Sequence, residues 1–316
     1  MNPSVSVILP SYNYRRYIGQ ALDSVMAQTY RNFELLVVDD GSTDGSLDFL
    51  RDYQSQYPGK MRVLTHEGCR NFGLANTYRE ALKHASGEVV AFLESDDVWH
   101  PRNLEKKMKI LEENQEVGVV FSRYRPFGWF RGVIYWKIYE LANAAGIPMG
   151  RPVDLFSVFL KRNPVASFSH FIVRKELLDG IPPLETMRSN KDWWILAHLS
   201  LRTSFYMIPE FLCRWRIHRL SHGFGRADKK VLWKLHGFLL RLHQSLEIKN
   251  RSEGNPGQKA ERQRQLSKAL AFGKKLDERQ WTVLLETLTR PFALVRFLCY
   301  IVLKNILFLP KIKEAR

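Results

Sequence analysis

The chain has 316 residues, 45% of them hydrophobic and 25% charged, and this composition excludes an intrinsically disordered protein. Its net charge of +16 is concentrated toward the end of the chain, where residues 226–316 hold 20 Lys and Arg against 8 Asp and Glu. Such a basic region favours contact with an anionic membrane surface, with nucleic acid or with solvent alone. The three cysteines are far apart and lack metal-ligand spacing, which predicts a reducing, cytoplasmic environment: Cys69, Cys213 and Cys299.

Strands and helices alternate through the first 122 residues. Short aliphatic runs predict strands at Val5–Pro10, Phe33–Val38, Met61–Thr65, Glu88–Leu93 and Val117–Phe121. Apolar residues at helical spacing predict helices between them at Ile18–Gln28, Ser46–Tyr53, Asn76–Ala85 and Asn103–Glu113. This alternation predicts an α/β fold with a doubly wound sheet, in which ligands bind outside the carboxyl ends of the strands.

The rest of the chain is less regular. Helices are predicted at Asp154–Lys161 and Asp192–Leu201, and a strand is predicted at Ser167–Val173. The aromatic-rich stretch Tyr124–Pro152 has no clear pattern. From Lys229 onward the apolar spacing predicts helices only.

Two acidic pairs, Asp39-Asp40 and Asp96-Asp97, directly follow predicted strands. Adjacent carboxylates at a buried strand end are costly unless hydrogen-bond donors or a cation meet them. Either pair alone is explained by turn or helix-cap chemistry. Two pairs at one sheet edge favour a site where one pair binds a nucleobase and ribose and the other holds Mg²⁺ or Mn²⁺, which take carboxylate and phosphate oxygens.

Three segments then carry a resemblance to a known family: VSVILPSYN at 5–13, VVDDGSTD at 37–44 and ASGEVVAFLESDD at 85–97. In order, spacing and identity they resemble the inverting glycosyltransferases of family 2. The resemblance implies a GT-A fold, which is a Rossmann-like, doubly wound domain with a mixed sheet. It also implies metal-dependent transfer of a sugar from a nucleotide-diphosphate sugar, usually a UDP-sugar, to an acceptor hydroxyl.

The resemblance assigns roles to individual residues. The family's first loop lies beside the nucleotide and corresponds to Pro10, Tyr12 and Asn13. Asp40 corresponds to the carboxylate that accepts a hydrogen bond from the base, whereas Asp39 is a candidate to hold the turn. Asp96 corresponds to an aspartate on the ribose or metal side, and Asp97 to the ligand of Mg²⁺ or Mn²⁺.

The chain departs from the family pattern at two places. Glu94 stands where the family commonly has aspartate, and its side chain is long enough to reach the ribose or the metal. Tyr78-Arg79 stands where the family often has Arg-Asn. Arg79 is therefore a candidate nucleotide contact, with a solvated helix residue as the alternative.

An inverting transfer needs one general base, and a single carboxylate suffices. Asp192 precedes two tryptophans and an apolar helical run in RSNKDWW at 188–194, which resembles the family's Glu-Asp motif. The resemblance implies that Asp192 is the base, with Lys191 in the place of the preceding acid. The alternative is that Asp192 is the N-cap of the helix that follows. Trp193 and Trp194 are candidates either for stacking on a sugar or for core packing.

The segment RWRIHRLS at 214–221 resembles the family's Tyr-Arg-x-His segment, which leads into a mobile loop over the diphosphate. Trp215 replaces the tyrosine. The resemblance implies that Arg216 contacts the nucleotide sugar and that His218 completes the metal shell or touches the diphosphate. His170 is a weaker candidate, as a strand-end residue lining the acceptor cleft.

An apolar run of 19 residues at 292–310 is interrupted by Arg296, Lys304 and Asn305. A charge at the centre of a spanning helix costs about 2.5–3.5 kcal/mol. The run therefore favours a helix lying in the membrane interface, and a helix packed on the catalytic domain is the alternative.

Taken together, these patterns predict a GT-A domain at 1–225 and a basic helical region at 226–316. The domain is divided into a nucleotide-sugar half at 1–122 and an acceptor half at 123–225. The expected partners are a nucleotide-sugar donor, a sugar or lipid-linked acceptor in cell-surface polysaccharide or glycolipid synthesis, and the anionic inner face of the cell membrane as a peripheral contact. No nucleic-acid partner is expected.

Other protein classes explain less of the sequence. A sugar nucleotidyltransferase or a dehydrogenase would carry a glycine-rich loop after the first strand, where this chain has PSYN at 10–13. A phospho-acceptor receiver domain would explain Asp39-Asp40 but not the second acidic pair. An inactive, transferase-like protein that binds membranes or nucleic acid would have no need of Asp40, Asp97 and Asp192.

Overall fold

The structure is a computed structural model, and it describes residues 4–129, 133, 144, 146–160, 162–184, 190–218, 241–249 and 256–275. The predicted helix at 292–310 lies outside these residues. The chain divides into two compact units, one made of Met1–Phe127 with Gly146–Arg216 and the other of Gly128–Ala145 with Ile217–Arg316. The boundary expected at residue 225 stays a prediction.

The described strands are β1 (Val5–Ser11), β2 (Phe33–Asp39), β3 (Met61–Thr65), β4 (Val89–Phe92), β5 (Val98–Trp99), β6 (Val117–Gly128), β7 (Pro152–Val153), β8 (Phe171–Arg174) and β9 (Ser204–Ile217). The described helices are α1 (Arg15–Met26), α2 (Ser46–Ser55), α3 (Leu74–His84), α4 (Asn103–Glu113), α5 (Phe156–Phe159), α6 (Lys191–Leu199) and α7 (Pro256–Lys275). Short 3-10 turns lie at Glu67–Cys69, Phe168–His170 and Lys175–Leu178.

Within the described residues the strands form one mixed sheet in the order β3-β2-β1-β4-β8-β6-β9-β5, with β7 paired to β9. Strands β1 to β4 are parallel to their neighbours in that group, whereas β8 is antiparallel to both β4 and β6. Because β2 and β4 flank β1 on opposite sides, the chain order switches at β1. The switch point of an α/β sheet leaves a crevice outside the carboxyl ends of its strands, and the acidic pairs follow two of these ends.

The core fixes these strand ends in place. All seven residues of β1 are buried, as expected of a parallel strand that is covered on both faces. Val7 and Leu9 of β1 share one hydrophobic core with Ile18 and Leu22 of α1. The loops that follow the strands therefore start from rigid points.

Every strand and helix predicted in the first 122 residues is confirmed, with ends that shift by up to three residues, except that β6 runs seven residues beyond its predicted end. The strand predicted at Ser167–Val173 is wrong in its first half, where the Ser167 hydroxyl accepts a hydrogen bond from the Ser169 N–H and closes a 3-10 turn before β8. The predicted helix at Asp154–Lys161 is reduced to the single turn α5. Strands β5, β7 and β9 were not predicted.

In the described part of the basic region, residues 241–249 and α7 are helical, as predicted. No helix among the described residues is long and apolar enough to cross a membrane.

We expect Gly41→Ala to destabilise the protein far more than Gly45→Ala. Both glycines have positive φ, +78° and +81°, a conformation that costs other residues roughly 1–2 kcal/mol. A Cβ at Gly41 would also lie 2.7 Å from the backbone of Arg70, whereas a Cβ at Gly45 would have no atom within 4 Å. Urea unfolding of the two variants tests this, and equal losses would contradict the close approach of the 69–71 backbone to Gly41.

Candidate functional site

Three loops meet at the carboxyl ends of β1, β2 and β4. The Asn13 carboxamide oxygen accepts a hydrogen bond from the Thr43 N–H at 2.7 Å, and the Asn13 N–H donates to the Ser42 hydroxyl at 2.9 Å. The Ser95 hydroxyl donates to the Pro10 carbonyl. The loops that the sequence selected are therefore joined into one rim.

Asp39 is consumed by the turn that follows β2. Its carboxylate is wholly buried and accepts hydrogen bonds from the Ser42 N–H at 2.9 Å, the Ser42 hydroxyl at 2.6 Å and the Ser11 hydroxyl at 3.1 Å. All three donors belong to β1 or to this turn, so the carboxylate ties the turn to the strand. This supports the expectation that Asp39 holds the turn.

Asp40 instead faces the start of α3. Its carboxylate accepts hydrogen bonds from the Phe72 N–H at 2.6 Å and the Gly73 N–H at 2.9 Å, and His66 Nε2 lies 3.4 Å away. A carboxylate at a helix N-terminus is favoured by the helix dipole. The neighbouring loops also present two exposed aromatic side chains, Tyr12 and Phe72, with 46% and 48% of their surface accessible. This corner combines a fixed carboxylate with exposed aromatic surface, as a base-binding site requires.

The turn after β4 carries the second acidic group. The Asp97 N–H donates to the Glu94 carbonyl at 3.1 Å and closes the turn, while Tyr78 Oη donates to Glu94 Oε1 at 2.5 Å. Burial raises the pKa of Glu94 to about 7, the nearby charges of Asp96 and Asp192 add to the rise, and the Tyr78 hydrogen bond opposes it. Glu94 therefore changes its charge near neutral pH.

Asp96 and Asp97 differ sharply in exposure. Asp96 is partly exposed, whereas Asp97 is wholly buried and its Oδ1 accepts the Arg216 N–H at 2.9 Å. Burial, together with the Asp96 charge, raises the pKa of Asp97 well above its ordinary value. The two adjacent carboxylates thus occupy different environments, one at the crevice and one in the core.

Asp192 lies in the first turn of α6, and Asn190, with φ 56°, is the N-cap residue. The alternative in which Asp192 caps the helix is therefore not the observed arrangement. Asp192 Oδ2 accepts a hydrogen bond from the Asn163 carboxamide at 2.8 Å. Burial raises the pKa of Asp192 to about 6, and its charge lies close enough to raise the pKa of Glu94. The sheet edge and α6 therefore bring the two halves of the predicted site together.

The tryptophans after Asp192 belong to the core. Trp193 Nε1 donates to the Phe159 carbonyl at 2.8 Å, and Trp194 Nε1 donates to the Pro182 carbonyl at 3.2 Å. Both rings are buried. Core packing, rather than stacking on a sugar, is what the structure shows for them.

Arg216 supports the acidic turn from the side. Its Nε donates to the Asp96 carbonyl at 2.8 Å, and its Nη2 donates to the Gln20 side chain at 2.5 Å. Its guanidinium also lies over the rings of Tyr17 and Phe127, at 4.7 Å and 4.4 Å. These contacts fix the turn that carries Asp96.

The remaining candidates lie in different surroundings. Arg79 is exposed on α3 and donates to the Asn76 side chain at 2.6 Å. His218 is partly buried and belongs to the second unit. His170 is wholly buried against Tyr124 and Trp215, so it does not line an open cleft as the sequence had suggested.

The sequence did not single out Asn163 or Phe72. Asn163 lies 29 residues before Asp192, and no local pattern connects the two. Phe72 lies in an irregular loop, where an aromatic residue carries no periodic signal. Its exposure, which makes it a candidate, is visible only in the structure.

Comparisons with known proteins show the family and the fold of this chain. The sequence model of Glycosyl transferase family 2 matches residues 6–181. The putative teichuronic acid biosynthesis glycosyltransferase TuaG of Bacillus subtilis is 31% identical over 249 residues, which are 76% of this chain and 90% of the relative.

Two solved structures share the fold. S. aureus TarS 1–349 in complex with UDP-GlcNAc aligns with a TM-score of 0.62 at 20% identity, over 96% of this chain and 88% of that chain. The mannosyltransferase PcManGT from Pyrobaculum calidifontis, in complex with GDP-Man and Mn²⁺, aligns with a TM-score of 0.60 at 20% identity, over 97% and 87%.

Together with these comparisons, the mixed sheet identifies a glycosyltransferase with the GT-A fold. The chain belongs to glycosyltransferase family 2. The fold and the family expected from the sequence are thereby confirmed.

We expect Glu94→Gln to raise the unfolding temperature at pH 8 in buffer without divalent cations. The pKa of Glu94 is about 7 in the folded chain against an ordinary value of 4.5, so the folded state binds the proton more tightly than the unfolded state. The stability that this proton confers is present below pH 4.5 and is lost as the pH rises to 7, and a neutral glutamine avoids the loss.

Thermal unfolding between pH 5 and pH 8 measures this effect. The gain should grow with pH, and the exposed Glu88→Gln should show no such trend. A gain that is the same at every pH would argue against a buried, titrating Glu94.

Proposed function

We propose that this protein is an inverting, metal-dependent glycosyltransferase that moves a sugar from a nucleotide-diphosphate sugar, with UDP as the favoured nucleotide, to an acceptor hydroxyl. The observation that carries the proposal is the Asp192 carboxylate, which lies near Glu94 and whose pKa burial raises to about 6. A general base is most effective when its pKa lies near the working pH. One such carboxylate opposite a donor site is what an inverting transfer needs.

The nucleotide half of the donor is assigned to the corner around Asp40. Each carboxylate oxygen has two lone pairs, so Asp40 is able to accept an N–H of the base in addition to the Phe72 and Gly73 N–H groups. The exposed rings of Tyr12 and Phe72 offer apolar faces to a planar base. TarS, whose fold this chain shares, was crystallised with UDP-GlcNAc.

The cation is assigned to Asp96 rather than to Asp97. Mg²⁺ and Mn²⁺ bind carboxylate oxygens and are completed by substrate phosphates and water, so their ligand must reach the crevice. Asp96 is partly exposed beside Glu94, whereas Asp97 is wholly buried. When bound, the cation would neutralise charge on the departing diphosphate. The burial of Asp97 thus changes the assignment made from the sequence, and the part of His218 stays a prediction.

Asp192 then acts on the acceptor. Its carboxylate takes the proton of the acceptor hydroxyl while that oxygen forms a bond to the anomeric carbon. The bond from the anomeric carbon to the diphosphate oxygen breaks on the opposite face, and the nucleoside diphosphate leaves with the electron pair. The Asn163 carboxamide holds the carboxylate in position.

The acceptor is proposed to be a sugar or a lipid-linked sugar in the synthesis of a cell-surface polymer. The relative TuaG is named for teichuronic acid biosynthesis. The charge of residues 226–316, with 20 Lys and Arg against 8 Asp and Glu, would favour peripheral contact with an anionic membrane, which also carries lipid-linked substrates.

A panel of UDP-, GDP- and dTDP-sugars with Mn²⁺ or Mg²⁺ tests the proposal. At a donor concentration of 100 times Kd, the correct donor should stabilise the protein by about 2.7 kcal/mol, and a chelator should abolish most of the effect. Asp96→Asn should lose the metal-dependent part, whereas the exposed control Asp52→Asn should keep it. If no nucleotide sugar binds with either metal, the proposed function is wrong.

We expect Asp192→Asn to separate binding from transfer. The neutral side chain keeps its shape but is unable to take the acceptor proton, so kcat should fall by about 10²–10⁴-fold. Donor affinity, read from the thermal shift, should stay close to that of the wild type. Turnover within a few-fold of normal would mean that another residue is the base.

The pH profile should respond to Asn163→Asp. This change keeps the size of the side chain and the oxygen that accepts the Val165 N–H at 3.1 Å. It also replaces a donor to Asp192 with a second carboxylate, which raises the pKa of the pair.

Because the base is active when deprotonated, the acid limb of kcat should move from about pH 6 to higher pH, by about one unit or more. The exposed Asn32→Asp makes the same change in charge and should leave the limb in place. An acid limb that does not move in Asn163→Asp would exclude Asp192 as the titrating group.

A further inference from the structure

Three buried side chains that the sequence places far apart meet below the acidic turn. Asp97 follows β4, His170 ends the 3-10 turn before β8, and Cys213 lies in β9. Their potential ligand atoms are a carboxylate oxygen, an imidazole nitrogen and a thiol sulfur, all within 4.8 Å of one another. All three residues are almost completely inaccessible to solvent.

Two of these atoms have unused hydrogen-bonding capacity. Among the described residues, neither Asp97 Oδ2 nor His170 Nε2 has a hydrogen-bond partner, although both atoms are buried. A buried polar atom without a partner costs about 1–3 kcal/mol. Two such atoms, on residues whose potential ligand atoms lie within 4.8 Å of one another, point to an occupant between them.

The histidine is oriented as a metal ligand would be. Its Nδ1 lies 2.6 Å from the Val165 carbonyl and therefore carries the hydrogen, which leaves the lone pair on Nε2, an atom without a hydrogen-bond partner among the described residues. The imidazole stacks on the Tyr124 ring at 4.2 Å with an interplanar angle of 5°, so its orientation is fixed. Metal-bound histidines characteristically donate the other N–H to a carbonyl or a carboxylate in this way.

The carboxylate is held in a similar manner. Asp97 Oδ1 accepts the Arg216 N–H at 2.9 Å, so the other oxygen is the one that remains for a ligand. Cys213 of β9 pairs with Trp99 of β5, and this pairing fixes the backbone that carries the Cys213 side chain. Each of the three residues is therefore held by a separate contact.

We propose that Asp97, His170 and Cys213 form a buried structural site for zinc, distinct from the Mg²⁺ or Mn²⁺ site at Asp96. Sulfur and imidazole ligands favour zinc, whereas carboxylate, carbonyl and water oxygens favour Mg²⁺ and Mn²⁺. Ligand atoms around tetrahedral zinc lie about 3.5 Å apart, so the ion would draw these atoms together by roughly 1 Å.

The charges of such a site are balanced. Zinc binds cysteine as the thiolate and aspartate as the carboxylate, and the two negative charges cancel the charge of the ion. This matters because Lys107 is buried beside the cluster and donates to the His170 carbonyl at 2.8 Å. A neutral cluster adds no net charge next to that amine.

The ion would tie together the turn after β4, the start of β8 and the strand β9. This is the framework on which Asp96 and Arg216 are mounted. Loss of the ion should therefore make the turn that carries Asp96 less rigid, without removing any residue of the proposed donor site.

Metal analysis of the full-length protein tests the site. After purification with zinc in the medium and dialysis against EDTA, we expect about one zinc per chain by mass spectrometry. Replacement by Co²⁺ should produce the near-ultraviolet absorption of a sulfur-to-cobalt charge transfer, which reports the thiolate ligand directly and needs no variant.

Matched variants identify the ligands. Cys213→Ser and His170→Gln should reduce bound zinc at least tenfold, while Cys69→Ser, which changes an exposed cysteine, should retain it. Asp96→Asn should also retain zinc, although we expect it to weaken binding of the donor. The zinc proposal and the proposed function are therefore tested separately.

Absence of zinc and of the cobalt–sulfur absorption in the wild-type protein would overturn the proposal, with a buried water between Asp97 and His170 as the simplest replacement. A cobalt–sulfur absorption that persists in Cys213→Ser but disappears in Cys69→Ser would overturn it equally. The cobalt spectrum of the wild type decides the question even if the Cys213 or His170 variant does not fold.

Discussion

The removal of carboxylates from water is the constraint on which the rest of this structure depends. Four acidic groups are concentrated around the end of β4, and burial raises the pKa of three of them, namely Glu94, Asp97 and Asp192. Such an arrangement lowers stability, because each group would be better solvated in the unfolded chain. The cation binding and the proton transfer proposed above would each make use of these charges.

The carboxylates differ in the hydrogen-bond donors that surround them, and these differences indicate their roles. Asp39 accepts three hydrogen bonds from its own turn and from β1, so it is a structural residue. Asp97 Oδ1 accepts the Arg216 N–H, whereas Oδ2 has no hydrogen-bond partner within the described residues. Asp192 keeps the Asn163 donor and a pKa of about 6. Satisfied carboxylates hold the backbone, and those with fewer donors retain capacity for a cation or a proton.

The sequence was sufficient for the sheet and for the loops at its edge, because both depend on local patterns. Apolar runs and helical spacing locate the strands and helices up to α4. Because each loop starts at the end of its strand, the strands also locate the loops at the edge of the sheet. It was not sufficient for the burial of Asp97 or the cluster with His170 and Cys213, since these residues approach one another only through the pairing of β4, β8 and β9. Cysteine spacing along the chain excluded a metal site formed by neighbouring residues, but it carries no information about a site assembled across a sheet.

When two adjacent residues lie in a turn after a strand, their side chains point in different directions. Two adjacent aspartates are therefore able to serve two distinct roles. At the end of β2, Asp39 turns inward to its own loop and Asp40 turns to the N-terminus of α3. At the end of β4, Asp97 turns to the core and Asp96 stays at the crevice. The inward member fixes the backbone of the outward member, so the position of the outward carboxylate depends on contacts made in the core. A change at His170 or Cys213 would therefore act on Asp97 and, through the peptide bond that joins them, on Asp96.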